Sequence, residues 1–506
     1  MTSTIFLQAI AAGIVLLGAY TLLRYHRRSL SLPPGPKGLP LLGMLGRMPQ
    51  EGAWTVFASW AKKYGDMLHV QVLQQHIIIL HSLETTNEML DKKSNIYSDR
   101  PRLTMGGELV GWNRILALTP YGRLFRQYRR LFHGLMGNRA YLGDLLPSAH
   151  QETTRLLQNI LDQPDQLRRH IRRASTAYIL RISHGYSLSD EHDPIVDVVE
   201  KATGQLSMLL VPGAFMVDIL PFLKHLPQWL PKLQFQKTAE HWAQTLKVMV
   251  DLPFEFVKQQ IDARCATVSF TRSALDMDEY DETVVKWAAG SLYSGGSDTT
   301  VSTIYAFFLA MVLYPEAQRR AQAEIDSVVG TDRLPTIDDR THLPYVDSLV
   351  KEVFRCFPAT PLGAPHRLIK DDVHAGYTIP KGSIVLANIW WFLHDPKRYS
   401  DPHMFDPTRY SAQPHRPADP DPLSICFGFG RRSCPGSLLA DSVVFLACAS
   451  CLAVLDIQKA TKADGSPIEP VYRSTKGIIS HPMPFECMIR ARSERAAALV
   501  RTAAAS

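Results

Sequence analysis

Cysteine is scarce. The seven cysteines (Cys265, Cys356, Cys426, Cys434, Cys448, Cys451 and Cys487) are scattered through 506 residues, which excludes a secreted disulfide framework and fits reduced thiols facing the cytosol. Blocks of like charge are also missing, and so are basic stripes interleaved with aromatics. The net charge of +7 is spread along the chain, which leaves no footprint for nucleic acid and fits an anionic membrane surface or an acidic protein partner. There is no internal repeat, and low complexity is confined to a Pro-rich loop at 411–423 and an Ala-rich tail at 492–506. "MTST", residues 1–4, carries no Lys or Arg, so the charged start of a cleaved signal peptide is lacking.

A long uncharged run comes next. "IFLQAIAAGIVLLGAYTLL", residues 5–23, would span about 29 Å as a helix at ~1.5 Å per residue, close to the ~30 Å hydrocarbon thickness. It reads as one retained transmembrane anchor behind a lumenal 1–4. Arg24, Arg27 and Arg28 succeed it, and the positive-inside rule keeps them, and the rest of the chain, in the cytosol. "LPPGPKGLP" closes a basic and proline-rich hinge at 24–40, where proline stops any helix.

Beyond the hinge the pattern is mostly helical. "AQRRAQAEIDSVV" (317–329) and "VDSLVKEVFRCF" (346–357) repeat apolar residues at three-to-four spacing. Strand-like stretches are few, among them "HIIILH" (76–81) and "SIVLANIW" (383–390). The expected fold is mainly α with a small β subdomain over 41–491, preceded by the N-terminal transmembrane helix.

Two cysteines share the loop "SICFGFGRRSCPGSLLA" (424–440). Cys434 precedes Pro435, Gly436 and a long apolar run, which places it at a helix N-cap with proline at N1. The helix dipole, open backbone donors and Arg432 would there favour an ionised sulfur. Cys426 has no helix start after it and reads as a small buried residue. Cys448 and Cys451 have redox-motif spacing but lie inside an apolar helix, so they read as core. No further close-spaced ligands accompany Cys434, which argues against structural zinc.

Phe427, Gly430, Arg432, Cys434 and Gly436 stand at the spacing of the haem-binding loop of cytochromes P450, which this stretch resembles. Other segments extend the resemblance over essentially the whole chain. "AGSLYSGGSDTTVST" (289–303) is similar to the family's distal helix, with Gly295, Gly296, Asp298, Thr299 and Thr300 matching its oxygen-activation motif. "KEVFRCFP" and "FDPTRY" supply Glu352, Arg355 and Arg409, matching the structural triad. "YSDRP" (97–101) and "APHRLIKDDV" (364–373) also match, the second placing Arg367 where a haem-propionate partner is expected. One departure stands out. Phe125 occupies the tryptophan position of the usual WxxxR motif while Arg129 is retained, so one indole donor to a propionate is missing or replaced.

The resemblance implies a haem b cofactor with Cys434 as axial ligand to iron, and a cytochrome P450 monooxygenase that inserts one oxygen atom from O2. It implies Thr299 holding the proton network and Asp298 feeding it, with two adjacent glycines locally widening the helix; a close-packing notch between helices is the alternative for that stretch. Electrons would come from NADPH through cytochrome P450 reductase, met by basic residues that include Arg123, Arg126 and Arg130. A reductase-independent haem-thiolate isomerase or dehydratase, and a non-catalytic membrane-bound haem sensor, are the alternatives; Thr299 and Asp298 speak against both. The segments 104–118, Leu292 with Tyr293, 359–364 and 476–480 correspond to the family's pocket lining. They are largely uncharged, which implies a hydrophobic small molecule. By motif style the chain resembles the fungal secondary-metabolism branch related to O-methylsterigmatocystin oxidoreductases. A terpenoid is the first expectation for its substrate, an aromatic polyketide or indole the next, in the endoplasmic reticulum membrane.

Overall fold

A helix that is apolar on every side has to be buried on every side, and the longest helix here, Glu282–Leu313, is one. The Asp281 carboxylate accepts the Thr283 N–H at 2.8 Å and starts it. Pro315 ends it and opens the next helix, Pro315–Val328, since proline is tolerated in a first turn and not in an interior. Nearly every residue from Thr300 to Val312 is buried. The helices Leu167–His184 and Ser437–Val454 pack along it. Among the described residues, two helices are long and apolar enough to cross a membrane, Glu282–Leu313 and Ser437–Val454, and both are mostly covered by protein.

This computed structural model describes residue 18 and residues 31–505, apart from 50, 138, 190–192, 212, 227–233, 413 and 415. The expected anchor at 5–23, residue 18 apart, lies outside the described residues.

Around the helical core sit small sheets. β1 (Met67–Val72) and β2 (Gln75–Leu80) form an antiparallel hairpin. β2 then pairs in parallel with β6 (Ile384–Ala387), and β6 antiparallel with β3 (His366–Arg367), giving the order β1-β2-β6-β3. The apolar runs at 76–81 and 383–390 are therefore neighbours in one sheet, Ile77 opposite Ile384. β4 (Asp372–His374) pairs with β5 (Tyr377–Ile379), and β7 (Leu455–Lys459) with β8 (Cys487–Ala491). The helices read at 317–329 and 346–357 run Pro315–Val328 and Pro344–Cys356, each starting two residues earlier on a proline. The Ala-rich segment forms a helix, Glu494–Ala505, with Val500 buried in the main core.

Candidate active site

The Cys434 loop hangs between two helices. Phe427 leads into it and packs against Phe354 of the Pro344–Cys356 helix, ring centroids 5.7 Å apart. The Cys434 N–H donates to the Phe427 carbonyl at 2.8 Å, which closes the loop on itself. Gly430 holds φ +54°, and a Cβ there would stand 2.1 Å from the Leu90 carbonyl oxygen. Only glycine fits so close an approach. The contact is with protein backbone, whereas a Cβ on Gly436 would meet nothing within 4 Å.

The structure corrects the expected cap. The Ser437–Val454 helix is capped by Gly436, so Cys434 stands two residues ahead of it and Pro435 one. A Pro-Gly turn intervenes, and through it the Gly436 N–H reaches the Cys434 sulfur. Cys434 is exposed by area yet set deep within protein; that burial raises its thiol, while the Gly436 N–H and Arg129 pull it down. Cys426 closes a short helix, and burial pushes its thiol well above the ordinary value. Cys448 and Cys451 are fully buried core residues.

Four arginines gather beside this loop. Arg432 donates to the carbonyls of Ser98 (2.7 Å), Leu116 (3.1 Å) and Thr119 (2.7 Å). Arg100 donates to those of Ala117, Ala364 and Pro365, and Arg129 to that of Ser433 at 2.7 Å. Arg367 reaches a carboxylate, Asp99, at 3.3 Å. Burial and the like charge of Arg100 push Arg432 down to about 8. Positive charge here outnumbers negative, an arrangement that suits an anion. Phe125 has a place in it. Its ring is buried, and the Arg432 guanidinium stacks on it with Cζ 3.8 Å from the centroid, a cation–π contact in place of a hydrogen bond.

Glu352, Arg355 and Arg409 meet in a buried network. Arg355 Nε and Nη2 donate to the two Glu352 oxygens, each at 2.8 Å. Arg409 Nε reaches Glu352 Oε1 at 2.9 Å, and its Nη1 reaches Asp419 at 2.8 Å. The remaining Arg355 donors hold the carbonyls of Leu393, Pro402 and Met404, and Tyr410 Oη donates to Glu352 Oε2 at 2.7 Å. Removing one member of such a pair strands a buried charge, at a cost of roughly 3–5 kcal/mol.

On the Glu282–Leu313 helix the two glycines part company. Among the described residues a Cβ on Gly295 would meet nothing within 4 Å, while one on Gly296 would stand 2.7 Å from Ile179 Cδ1. Gly296 is thus a packing notch for the Leu167–His184 helix, and Gly295 borders open space. The helix stays α-helical throughout, which corrects the expected local widening: the room is a missing side chain. Thr299 Oγ1 donates to the Gly295 carbonyl at 2.9 Å and keeps its lone pairs free to accept. Asp298 turns another way, with Oδ2 on His481 Nε2 at 3.0 Å and Oδ1 3.4 Å from Arg172. Although burial works against it, His481 and Arg172 hold Asp298 below the usual carboxylate range.

Sequence reading missed His481, Arg100 and Asp99. The last two lie in a segment singled out at 97–101, and His481 directly follows the pocket segment 476–480. A lone histidine carries no signal until its partner is placed.

Residues 33–487 match the profile of the cytochrome P450 family. The chain is 47% identical over 503 residues to cytochrome P450 monooxygenase 208 of Postia placenta, covering 98% of each protein. It is 44% identical over 502 residues to cytochrome P450 monooxygenase claR of Ampulloclitocybe clavipes (99% of this chain, 93% of that one). A third relative, 35% identical over 513 residues, is the multifunctional cytochrome P450 monooxygenase af510 of Aspergillus fumigatus (98% and 95%). The chain belongs to the cytochrome P450 family and is a cytochrome P450 monooxygenase, with the family's haem–thiolate cofactor and its need for O2 and a redox partner. The residues present fit that cofactor: an exposed cysteine whose sulfur has the Gly436 N–H and Arg129 to favour its anion, and an arginine cluster short of carboxylates, as a group with two propionates requires.

Proposed function

We propose that this monooxygenase inserts one oxygen atom from O2 into a hydrophobic secondary metabolite of a fungus, using electrons from NADPH passed on by cytochrome P450 reductase. Cys434 would be the axial ligand, while Arg129, Arg367 and Arg432 would hold the two propionates. Thiolate-ligated haem supplies reductive activation of O2, in which two electrons and two protons place one oxygen atom in the substrate and release the other as water.

The chain's own part is positioning and proton handling. Arg129 and the Gly436 N–H stabilise negative charge on the Cys434 sulfur. Phe427 and Gly430 fix the loop, and the Glu352–Arg355–Arg409 network braces the segment behind it. Thr299, beside the open space at Gly295, orders a proton-carrying water, and Asp298 supplies the proton. The observation that carries this reading is the exposed Cys434, with the Gly436 N–H at its sulfur, next to an arginine cluster that one aspartate leaves unbalanced.

Arg123, Arg126 and Arg130 are exposed on the Arg123–Met136 helix, whose opposite face buries Phe125, Tyr128 and Phe132. A cationic face on a rigid helix suits an acidic flavoprotein. Residues 5–23 anchor the chain in the endoplasmic reticulum membrane with the catalytic part in the cytosol, and 24–40 is the hinge. A terpenoid is the first candidate substrate, an aromatic polyketide or indole the next, on the largely uncharged lining segments alone. The test is a substrate panel under 18O2 with reductase and NADPH. One labelled oxygen atom per product molecule is expected. Conversion that proceeds without NADPH would instead make the protein an isomerase or dehydratase.

A further inference from the structure

Asp298 is held by two donors from two different parts of the chain. Arg172 comes from the Leu167–His184 helix, which also brings Thr176 to Ser297 (3.1 Å between hydroxyl oxygens) and Ile179 to Gly296. His481 comes from the C-terminal region, on a segment fixed from several sides. The His481 N–H donates to Thr475 Oγ1 at 3.0 Å, and the Thr475 N–H to the His481 carbonyl at 2.8 Å. Ser302, one helical turn beyond Asp298, donates its hydroxyl to the Ser480 carbonyl. The Ser480 N–H donates to the Ala359 carbonyl at 2.8 Å. The imidazole is therefore presented to Asp298 by a preorganised loop.

A carboxylate kept ionised between two donors cannot give away a proton until one partner supplies it. Arg172 does not release protons. Imidazole does. As an ionised carboxylate only accepts, His481 Nε2 carries the hydrogen in their 3.0 Å bond, and the other ring nitrogen, Nδ1, is buried with no partner among the described residues. One nitrogen faces the acid, and the other has no hydrogen bond that an incoming proton would have to displace.

We propose that His481 is the positioning residue that recharges Asp298, so that the 475–481 segment and the central helix act as one proton-supplying unit. The proposal rests on the reading of Asp298 as the proton source. A proton brought to Nδ1 by an entering water lets the Nε2 proton pass to Asp298 Oδ2, and the neutral carboxyl then turns away from its two donors and gives that proton to a water on the Thr299 side. After one tautomer exchange with water, imidazole and carboxylate regain their starting states. The other charged or titratable groups that face this pair are Arg168 and Arg172 from the neighbouring helix; Tyr305, farther along the central helix, accepts the Phe485 N–H.

The test compares His481→Gln, His481→Ala and Asp298→Asn in the full-length enzyme with reductase. Glutamine can still donate a hydrogen bond to Asp298 but cannot relay a proton. In His481→Gln, product per NADPH is expected to fall several-fold, with a matching rise in hydrogen peroxide, a flattened pH profile of coupling and an unchanged carbon-monoxide spectrum. Infrared difference spectra of the resting protein against pH give a second readout: the Asp298 carboxyl band, identified by its loss in Asp298→Asn, should appear at higher pH in His481→Ala. Full coupling in His481→Gln, or an Asp298 band unmoved in His481→Ala, overturns the proposal. If Asp298→Asn itself stays fully coupled, the underlying reading of Asp298 fails first.

Discussion

At the scale of single residues, environment decides what a side chain can do. Cys426 and Cys434 are the same residue type eight positions apart in one loop, but Cys434 is accessible, with the Gly436 N–H and Arg129 at its sulfur. Thr299 shows the same dependence. Its hydroxyl hydrogen is spent on the Gly295 carbonyl, which leaves an acceptor directed by the helix itself. Thr299→Ala keeps a good helix former and removes only that acceptor. Haem spectrum and substrate binding should stay near normal, NADPH consumption continue, and product per NADPH fall roughly tenfold in favour of hydrogen peroxide, within what proton-transfer catalysis supplies. Product and peroxide measured per NADPH on folded protein check this; unchanged coupling would remove Thr299 from the mechanism. Cys434, Thr299 and the Glu352–Arg355 pair stand out in the sequence because their spacing is local. His481 and the Arg432–Phe125 stack do not, since each joins residues well over a hundred positions apart.

At the scale of elements, adjacent glycines separate into packing and space. Gly296 receives Ile179, and Gly295 leaves room. Spacing alone assigns both to one role, because a sequence does not say which face of a helix meets a neighbour. Gly295→Ala should therefore keep the fold and raise the melting temperature slightly, alanine being favoured over glycine by about 1 kcal/mol in a helix interior. Turnover should drop, because the new methyl enters the open space. Thermal unfolding and product formation measured on the same preparation test this: a large loss of stability would show the space at Gly295 to be filled. Strands are legible where a run is strongly apolar, as at 76–81, and not where two residues suffice, as in β3. Helix starts read two residues late because prolines that open a helix look, in sequence, like breaks.

At the scale of the molecule, the chain combines a helical globule with an N-terminal run of membrane character. Removing residues 1–31 should move the protein from tight membrane retention to salt-sensitive peripheral binding while haem content survives. Large apolar side chains stay exposed on the globule, among them Leu41 at 74%, Phe222 at 60% and Met216 at 58%. If the shortened protein still resists carbonate extraction, that surface carries the attachment and the anchor reading fails. Fold class is legible from periodicity, and the Cys434 loop stands out by its local motif, whereas the arginine cluster emerges only when 97–101, 116–119, 364–367 and 432 come together. The function proposed for this chain turns on one sulfur. The deciding measurement is the absorption spectrum of the reduced carbon-monoxide complex for Cys434→Ser beside Cys426→Ser. With Cys434 as the axial ligand, the red-shifted band of a thiolate-ligated haem disappears in the first and persists in the second; its persistence without Cys434 would contradict that assignment.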